Sequence, residues 1–175
     1  MAAKPILLPM IRGEAVDLSS AQTATIRAWA AMTGVMLHYS ARNAADVGVD
    51  ESRRVHLFKY GAPAPMTRIS LVRVATSEIK TVVQSSYARR LAESWPMLYA
   101  ELLTVGSLGL LIFQGLLEDW QQRILETAGN LVHLSRIPTL GSSDAWPTGE
   151  MTVSELLALF ERVMPEAEAL PNRDV

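Results

Sequence analysis

The chain has 175 residues, the length of one ordinary domain, which buries about two-thirds of the surface that its unfolded chain exposes. Charged residues make up 19% of the sequence, below the usual quarter, so we expect a buried partner face, an oligomer or a membrane segment. The net charge of −2 gives no general attraction to nucleic acid, and the absence of cysteine excludes disulfides, thiolate zinc sites and cysteine nucleophiles.

The N-terminal part of the chain is predicted to hold one long helix after a non-helical lead-in. Residues Lys4–Val16 contain two prolines and a turn sequence, which favour an extended segment. The lead-in has no long apolar run, so we expect no secretory signal and a cytoplasmic protein. Residues Leu18–Tyr39 carry apolar side chains at spacings of three and four on two faces, with Arg27 as the only charged residue. A helix that is apolar nearly all round is typical of a buried position, so we expect it at the centre of the core.

A surface helix and a pair of strands are predicted next. Asp50–Tyr60 has the pattern of a short surface helix with Val55 and Phe58 facing the core. Met66–Ala75 alternates apolar with polar residues and includes β-branched side chains, which predicts a strand. Ile79–Val83 is predicted to pair with that strand as a hairpin.

The most apolar stretch is Leu102–Leu117, which has no charged residue. A membrane helix needs about 20 such residues, and this stretch is shorter and interrupted by Gly106, Gly109 and Gly115. The pattern therefore argues against a membrane span and predicts one or two buried strands that bend at the glycines.

The C-terminal part is predicted to hold two helices separated by a strand. Glu118–Ala128 is amphipathic, with Trp120 and Ile124 facing the core, and Leu131–Ile137 has the pattern of a short strand. The Thr-Val-Ser-Glu sequence that begins at Thr152 is a capping box, in which side chains satisfy the free N–H groups of a first turn. A short C-terminal helix is expected to follow it.

Together these elements predict a single α+β domain over residues 1–165 and a polar, disordered tail over residues 166–175. We expect a small, mostly antiparallel sheet that packs against the long buried N-terminal helix, with the short C-terminal helix completing the domain. The order of the strands does not follow from the pattern.

The sequence contains no motif for a metal, a cofactor or a catalytic group. The three histidines, His38, His56 and His133, lack a second ligand at a metal-binding spacing. The serines lack the Gly-x-Ser-x-Gly sequence that presents a nucleophile. We therefore expect no catalytic residue, no metal and no cofactor, although residues that are distant in sequence can still assemble a site in the fold.

Two arginine pairs are the candidate binding residues. They are Arg53-Arg54 and Arg89-Arg90, and arginine side chains bind phosphates and carboxylates equally well. If the four arginines share one face, they form a binding surface for nucleic acid or for a protein partner. The alternative is that they are ordinary surface residues in contact with water.

Several segments resemble a bacterial family of HNH-like, zinc-knuckle proteins. The resemblance rests on Lys4–Gly13, on the Ala-Trp-Ala-Ala-Met-Thr sequence from Ala28, on Thr104–Leu108 and on Trp146-Pro147, and it spans about residues 4–160. The resemblance implies that this chain corresponds to the structural region that follows the zinc knuckle in that family. The cysteines of the knuckle are absent here, so the resemblance assigns no metal ligand and no nuclease residue to this chain.

Our leading hypothesis is a non-catalytic accessory or interaction domain of a bacterial or mobile-element protein, which binds a protein, a second copy of itself or nucleic acid. A phage- or plasmid-encoded inhibitor of a host defence complex fits the same features. The alternative is a remnant hydrolase or nuclease whose site assembles from dispersed residues, with His56 or His133 beside a carboxylate. A third hypothesis is a membrane-associated protein built on Leu102–Leu117.

Overall fold

The computed structural model describes residues 3–40, 51–75, 81–89, 96–134, 143–144, 146–164 and 168–169. The helices are α1 (Lys4–Ile11), α2 (Ser20–Ser40), α3 (Glu51–Tyr60), α4 (Asp119–Thr127) and α5 (Val153–Val163). The strands are β1 (Leu18–Ser19), β2 (Thr67–Val74), β3 (Val82–Arg89), β4 (Pro96–Val105), β5 (Leu108–Gly115), β6 (Leu131–His133), β7 (Ser143–Asp144), β8 (Glu150–Met151) and β9 (Glu168–Ala169).

The main sheet has the strand order β6-β2-β5-β4-β3-β9, and β8 runs parallel to β2 beside it. All other pairs in this sheet are antiparallel, so the predicted α+β class with a mostly antiparallel sheet is confirmed. The apolar stretch forms the adjacent strands β4 and β5, which turn at Gly106. Gly106 has φ +58°, and a Cβ there would overlap the Ile11 carbonyl at the end of α1. A small residue at this turn therefore lets α1 approach the sheet.

Helices cover both faces of the sheet. One face packs against α1 and α2 through a cluster that includes Leu7, Met10, Ile26, Ala30, Ile69, Leu110 and Ile112. The other face packs against α4 and α5 through a cluster that includes Val72, Phe113, Leu125, Leu156 and Phe160. Strands covered on both faces lose the simple alternation of apolar and polar residues, and Ser70 of β2 is accordingly fully buried. No helix within the described ranges is long and apolar enough to cross a membrane.

The N-terminal lead-in is helical over α1, which corrects the predicted extended segment. Pro5 lies in the first turn, where the missing N–H group would have no partner in the helix. Pro9 lies inside the helix and removes one hydrogen-bond donor. Leu7 and Met10 are buried against the sheet, and this packing stabilises the helix despite its second proline.

Helix α2 occupies nearly the predicted range, but the structure buries only one side of it. Ile26 and Ala30 are buried in the cluster that faces the sheet. On the outer side Met36 is 63% exposed and Met32 is half-buried. The expectation of a helix buried nearly all round is not confirmed, because part of its second apolar face, at Ala28 and Met32, lines an open groove beside α3.

Two aromatic side chains that were expected in the core are exposed. Phe58 of α3 is 76% exposed, and its neighbour Leu57 is buried instead. Trp120 of α4 is 39% exposed, whereas Gln121 and Leu125 are buried. Both helices are only 9 or 10 residues long, so a small error in the phase of the pattern exchanges inner for outer positions. The side chain of Val55, also predicted to face the core, lies outside the described residues.

The predicted hairpin between β2 and the following segment does not form. Strand β3 pairs with β4, while β2 pairs with β5 on one edge and with β6 and β8 on the other. Residues 79–80 of the predicted partner lie outside the described part of the chain, as do residues 135–137 of the strand predicted after α4. In the predicted tail, Glu168–Ala169 pairs with β3, and the remaining residues of 166–175 are not among those described.

Candidate functional site

An open groove lies between the start of α1, the outer side of α2 and the end of α3. Its volume is about 250 Å³. Helix α2 contributes the floor, and α3 contributes one wall together with the turn that follows it. The lining residues are Ala3, Thr25, Ala28, Trp29, Met32, Leu57, Phe58 and Gly61.

The lining of the groove is almost entirely apolar and has no charged side chain. Thr25 is the one hydroxyl residue in it, and its Oγ1 donates to the Ala21 carbonyl at 2.9 Å. That hydrogen bond uses the one hydroxyl proton, so Thr25 can only accept a hydrogen bond from a ligand. The volume is also below the roughly 300 to 1,000 Å³ of pockets that enclose a drug-sized molecule. The groove therefore fits apolar side chains from another molecule better than a small polar ligand.

Large apolar side chains beside the groove remain exposed to water. Phe58 lines it and is 76% exposed, and Met36 is 63% exposed one turn beyond Met32 on α2. Exposed apolar surface next to a concave apolar surface is typical of sites that bind another macromolecule. Methionine side chains are flexible and polarizable, so they adapt to differently shaped partners.

The end of α3 is held in place by local contacts. The Gly61 N–H donates to the Leu57 carbonyl at 2.9 Å, and Gly61 adopts φ +63°, as is common after the last turn of a helix. His56 Nδ1 lies 3.2 Å from the Ala62 carbonyl, and the His56 ring lies 4.8 Å from the ring of Tyr60. These contacts fix the wall of the groove that carries Phe58.

Buried polar side chains attach α2 to the sheet beneath the groove. Arg27 donates to the Leu134 carbonyl at 2.9 Å and to the Thr67 carbonyl at 3.3 Å. About two turns further along, Gly34 lies over Glu101 and Gln114, and Gln114 Nε2 donates to Glu101 Oε2 at 3.4 Å. Buried polar groups with specific partners set a single position for a helix on a sheet. The floor of the groove is positioned in this way.

The structure places the predicted arginines in two different elements. Arg53 and Arg54 lie in α3, the helix that forms the groove wall, and Arg89 is the last residue of β3. The side chains of these three residues and the whole of Arg90 lie outside the described part of the chain. Their meeting on one face stays a prediction.

Sequence reasoning missed the groove, although a signal for it was present. The second apolar face of α2, which includes Ala28 and Met32, was assigned to the core. A helix with two apolar faces needs a partner for each, and α3 covers only part of the outer face.

A serine and a histidine from neighbouring strands meet on the opposite face of the sheet. Ser70 Oγ of β2 lies 2.7 Å from His133 Nδ1 of β6, since the two residues are opposite each other in the strand register. Burial lowers the pKa of His133, and the nearby Arg68 guanidinium lowers it further. The Leu125 carbonyl and Glu126 raise this pKa by smaller amounts. His133 is therefore held as the neutral imidazole.

This serine–histidine pair has the distance of a nucleophile and its base but not the required access. Ser70 is fully buried in the middle of β2, so its oxygen cannot reach a substrate. Glu126, the nearby carboxylate, is bound to Arg68 at 3.2 Å. Among the described residues, no three His, Asp or Glu side chains come together as a metal site. The pair is best explained as a hydrogen bond that holds β6 to β2.

Comparison with profiles of known protein families, with curated proteins and with solved structures gives no match to this chain. The likeness to the HNH-like, zinc-knuckle family therefore stays a prediction.

Proposed function

We propose that this chain is a non-catalytic interaction domain that binds a protein partner through the groove between α1, α2 and α3. The observation that carries the proposal is the apolar groove with Phe58 at its edge, 76% exposed. Fully burying a phenylalanine side chain is favourable by about 1.5–3 kcal/mol. Phe58 is thus suited to be one of the few residues that supply most of the binding energy in an interface.

The same observation favours a protein over nucleic acid as the partner. Binding of nucleic acid gains most of its energy from phosphate contacts with lysine and arginine. The groove has no charged lining residue, and the whole chain has a net charge of −2. Arg53 and Arg54 of α3 keep nucleic acid as the alternative partner, which the experiment below distinguishes.

The remnant hydrolase or nuclease is the less favoured function. The hypothesis requires a histidine beside an accessible reacting group, and the described residues offer only the buried Ser70 beside His133.

A cytoplasmic location belongs to our proposal, since a cysteine-free chain gains nothing from an oxidising compartment. An inhibitor of a host defence complex is one form that such an interaction domain takes.

Site-specific photo-crosslinking in the cells that naturally make the chain tests the proposal. The photoreactive amino acid p-benzoylphenylalanine replaces Phe58 in one variant and Trp120, an exposed aromatic on α4, in the control. We expect an adduct at position 58 that protease degrades and nuclease leaves intact, and no such adduct at position 120. An adduct degraded by nuclease would assign the groove to nucleic acid. Identical adducts at both positions would contradict a specific site.

A further inference from the structure

The helices on the two faces of the sheet carry opposite charge. The three helices that form the groove, α1, α2 and α3, hold five lysine or arginine residues and one glutamate. On the other face, α4 and α5 hold two arginines and four aspartate or glutamate residues. Of the five basic residues, Lys4 and Lys59 are exposed, Arg27 is buried against the sheet, and the side chains of Arg53 and Arg54 lie outside the described residues.

Two of these cations lie directly beside the groove. Lys4 is exposed and follows the lining residue Ala3, and Lys59 is exposed and follows the lining residue Phe58. Lys59 Nζ lies 5.1 Å from the centre of the Tyr60 ring, where the cation is attracted to the ring face. The groove thus combines an apolar interior with basic residues at its edges.

We infer that the occupant of the groove is an acidic, amphipathic helical segment of another protein. This inference rests on the proposed function and names the chemistry of the partner. Apolar side chains of the segment pack on Trp29, Met32 and Phe58, while its aspartates and glutamates face the basic edge. A groove between two helices commonly receives the apolar face of a third. Opposite charges at the rim accelerate the encounter and exclude basic segments.

Selection from a library of random 16-residue peptides displayed on phage tests this inference. The full chain is the target, and the Phe58→Ala chain is used to remove peptides that bind elsewhere. We expect the enriched peptides to carry apolar residues at helical spacing and more aspartate and glutamate than lysine and arginine. The Lys59→Glu chain should bind them about fivefold more weakly, and the loss should diminish at high salt. Arg162→Glu, the same charge change on α5, is the matched control and should leave binding unchanged.

The outcomes separate this inference from the proposed function. Enriched peptides that need Phe58 but are neutral or basic would overturn the acidic partner and leave the interaction domain standing. An absence of any peptide whose binding depends on Phe58 would overturn the interaction domain itself. Light scattering of the chain on its own provides a further check, because a dimer that Phe58→Ala dissociates would make the occupant a second copy. Tighter binding of a single-stranded 20-nucleotide DNA than of any peptide would make it nucleic acid.

Discussion

Gly34 of α2 lies against Glu101 of β4, so that a Cβ at Gly34 would be only 3.1 Å from Glu101 Oε2. The same Cβ would be 2.8 Å from Gln114 Nε2, which itself donates to Glu101. Because all three residues are buried, the helix and the sheet meet here without room for another methyl group. This close approach brings α2 onto the sheet and so determines where its outer face, the groove floor, lies.

Gly34→Ala is therefore expected to destabilise the chain. In an open helix this substitution stabilises by up to about 1 kcal/mol. Here the methyl group displaces the buried Gln114 amide, and we expect a loss of roughly 1–3 kcal/mol in the free energy of unfolding by urea. The cost should be smaller when Gln114→Ala is already present, because that change removes the amide. Stabilisation by Gly34→Ala alone would show that the helix does not lie this close.

Leu57 and Phe58, adjacent in α3, should respond in opposite ways to truncation. Leu57 is 9% exposed, so Leu57→Ala should lower the free energy of unfolding by about 2–5 kcal/mol. Phe58 is 76% exposed, so Phe58→Ala should change it by no more than about 0.5 kcal/mol. Urea denaturation of the two variants measures both values. A large loss with Phe58→Ala would place this ring in the core and remove the basis of the groove proposal.

The neutral His133 makes stability depend on pH in a predictable direction. Its pKa in the folded chain lies below the ordinary value of 6.5, so the unfolded chain binds the proton more tightly. The free energy of unfolding should therefore fall as the pH drops below about 6.5 and level off once the folded histidine is also protonated.

His133→Gln should flatten this part of the pH profile, measured by urea denaturation between pH 8 and about pH 5. His56→Gln is the matched control for the loss of a histidine, because it removes a histidine of α3 that does not contact Ser70. An unchanged slope in His133→Gln would show that the histidine is not held neutral by the fold.

The capping box before α5 offers a test of local stability. Thr152 Oγ1 accepts from the Glu155 N–H at 3.1 Å, and Glu155 Oε2 accepts from the Thr152 N–H at 2.8 Å. The Thr152 N–H and the Thr152 hydroxyl, whose Oγ1 lies 3.0 Å from Glu155 Oε2, both donate to the Glu155 carboxylate and lower its pKa. Thr152→Ala should cost about 1 kcal/mol of stability, whereas the neighbouring Ser154→Ala should cost little. Equal effects in thermal unfolding would argue against the cap.

Sequence patterns predicted which helices and strands form better than they predicted which side chains are buried or which strands pair. The capping box at Thr152 and the break at Gly106 are local signals, and both elements are present in the structure. The pattern of a single segment does not specify which strands pair, so the prediction paired the start of β3 with β2, whereas β3 pairs with β4. The alternating pattern of Met66–Ala75 does not predict the burial of Ser70, because nothing in that segment shows that α4 and α5 cover its face.

The groove was harder to predict for the same reason. Phe58 and Leu57 are adjacent, and the pattern of a 10-residue helix does not decide which of them is buried. Because of Pro5 and Pro9, the sequence pattern did not predict α1, whose stability comes from packing of Leu7 and Met10 on the distant sheet. A site formed by three helices appears only once their packing is known.

The most direct test of the central claim is calorimetric titration of an enriched acidic peptide into the parent chain and two variants, Phe58→Ala and Trp120→Ala. Both variants remove one exposed aromatic ring, but only Phe58 lines the groove. We predict that Phe58→Ala weakens binding by at least about tenfold, whereas Trp120→Ala leaves the dissociation constant unchanged. Equal affinity of the peptide for the parent chain and for Phe58→Ala would contradict the groove as the binding site.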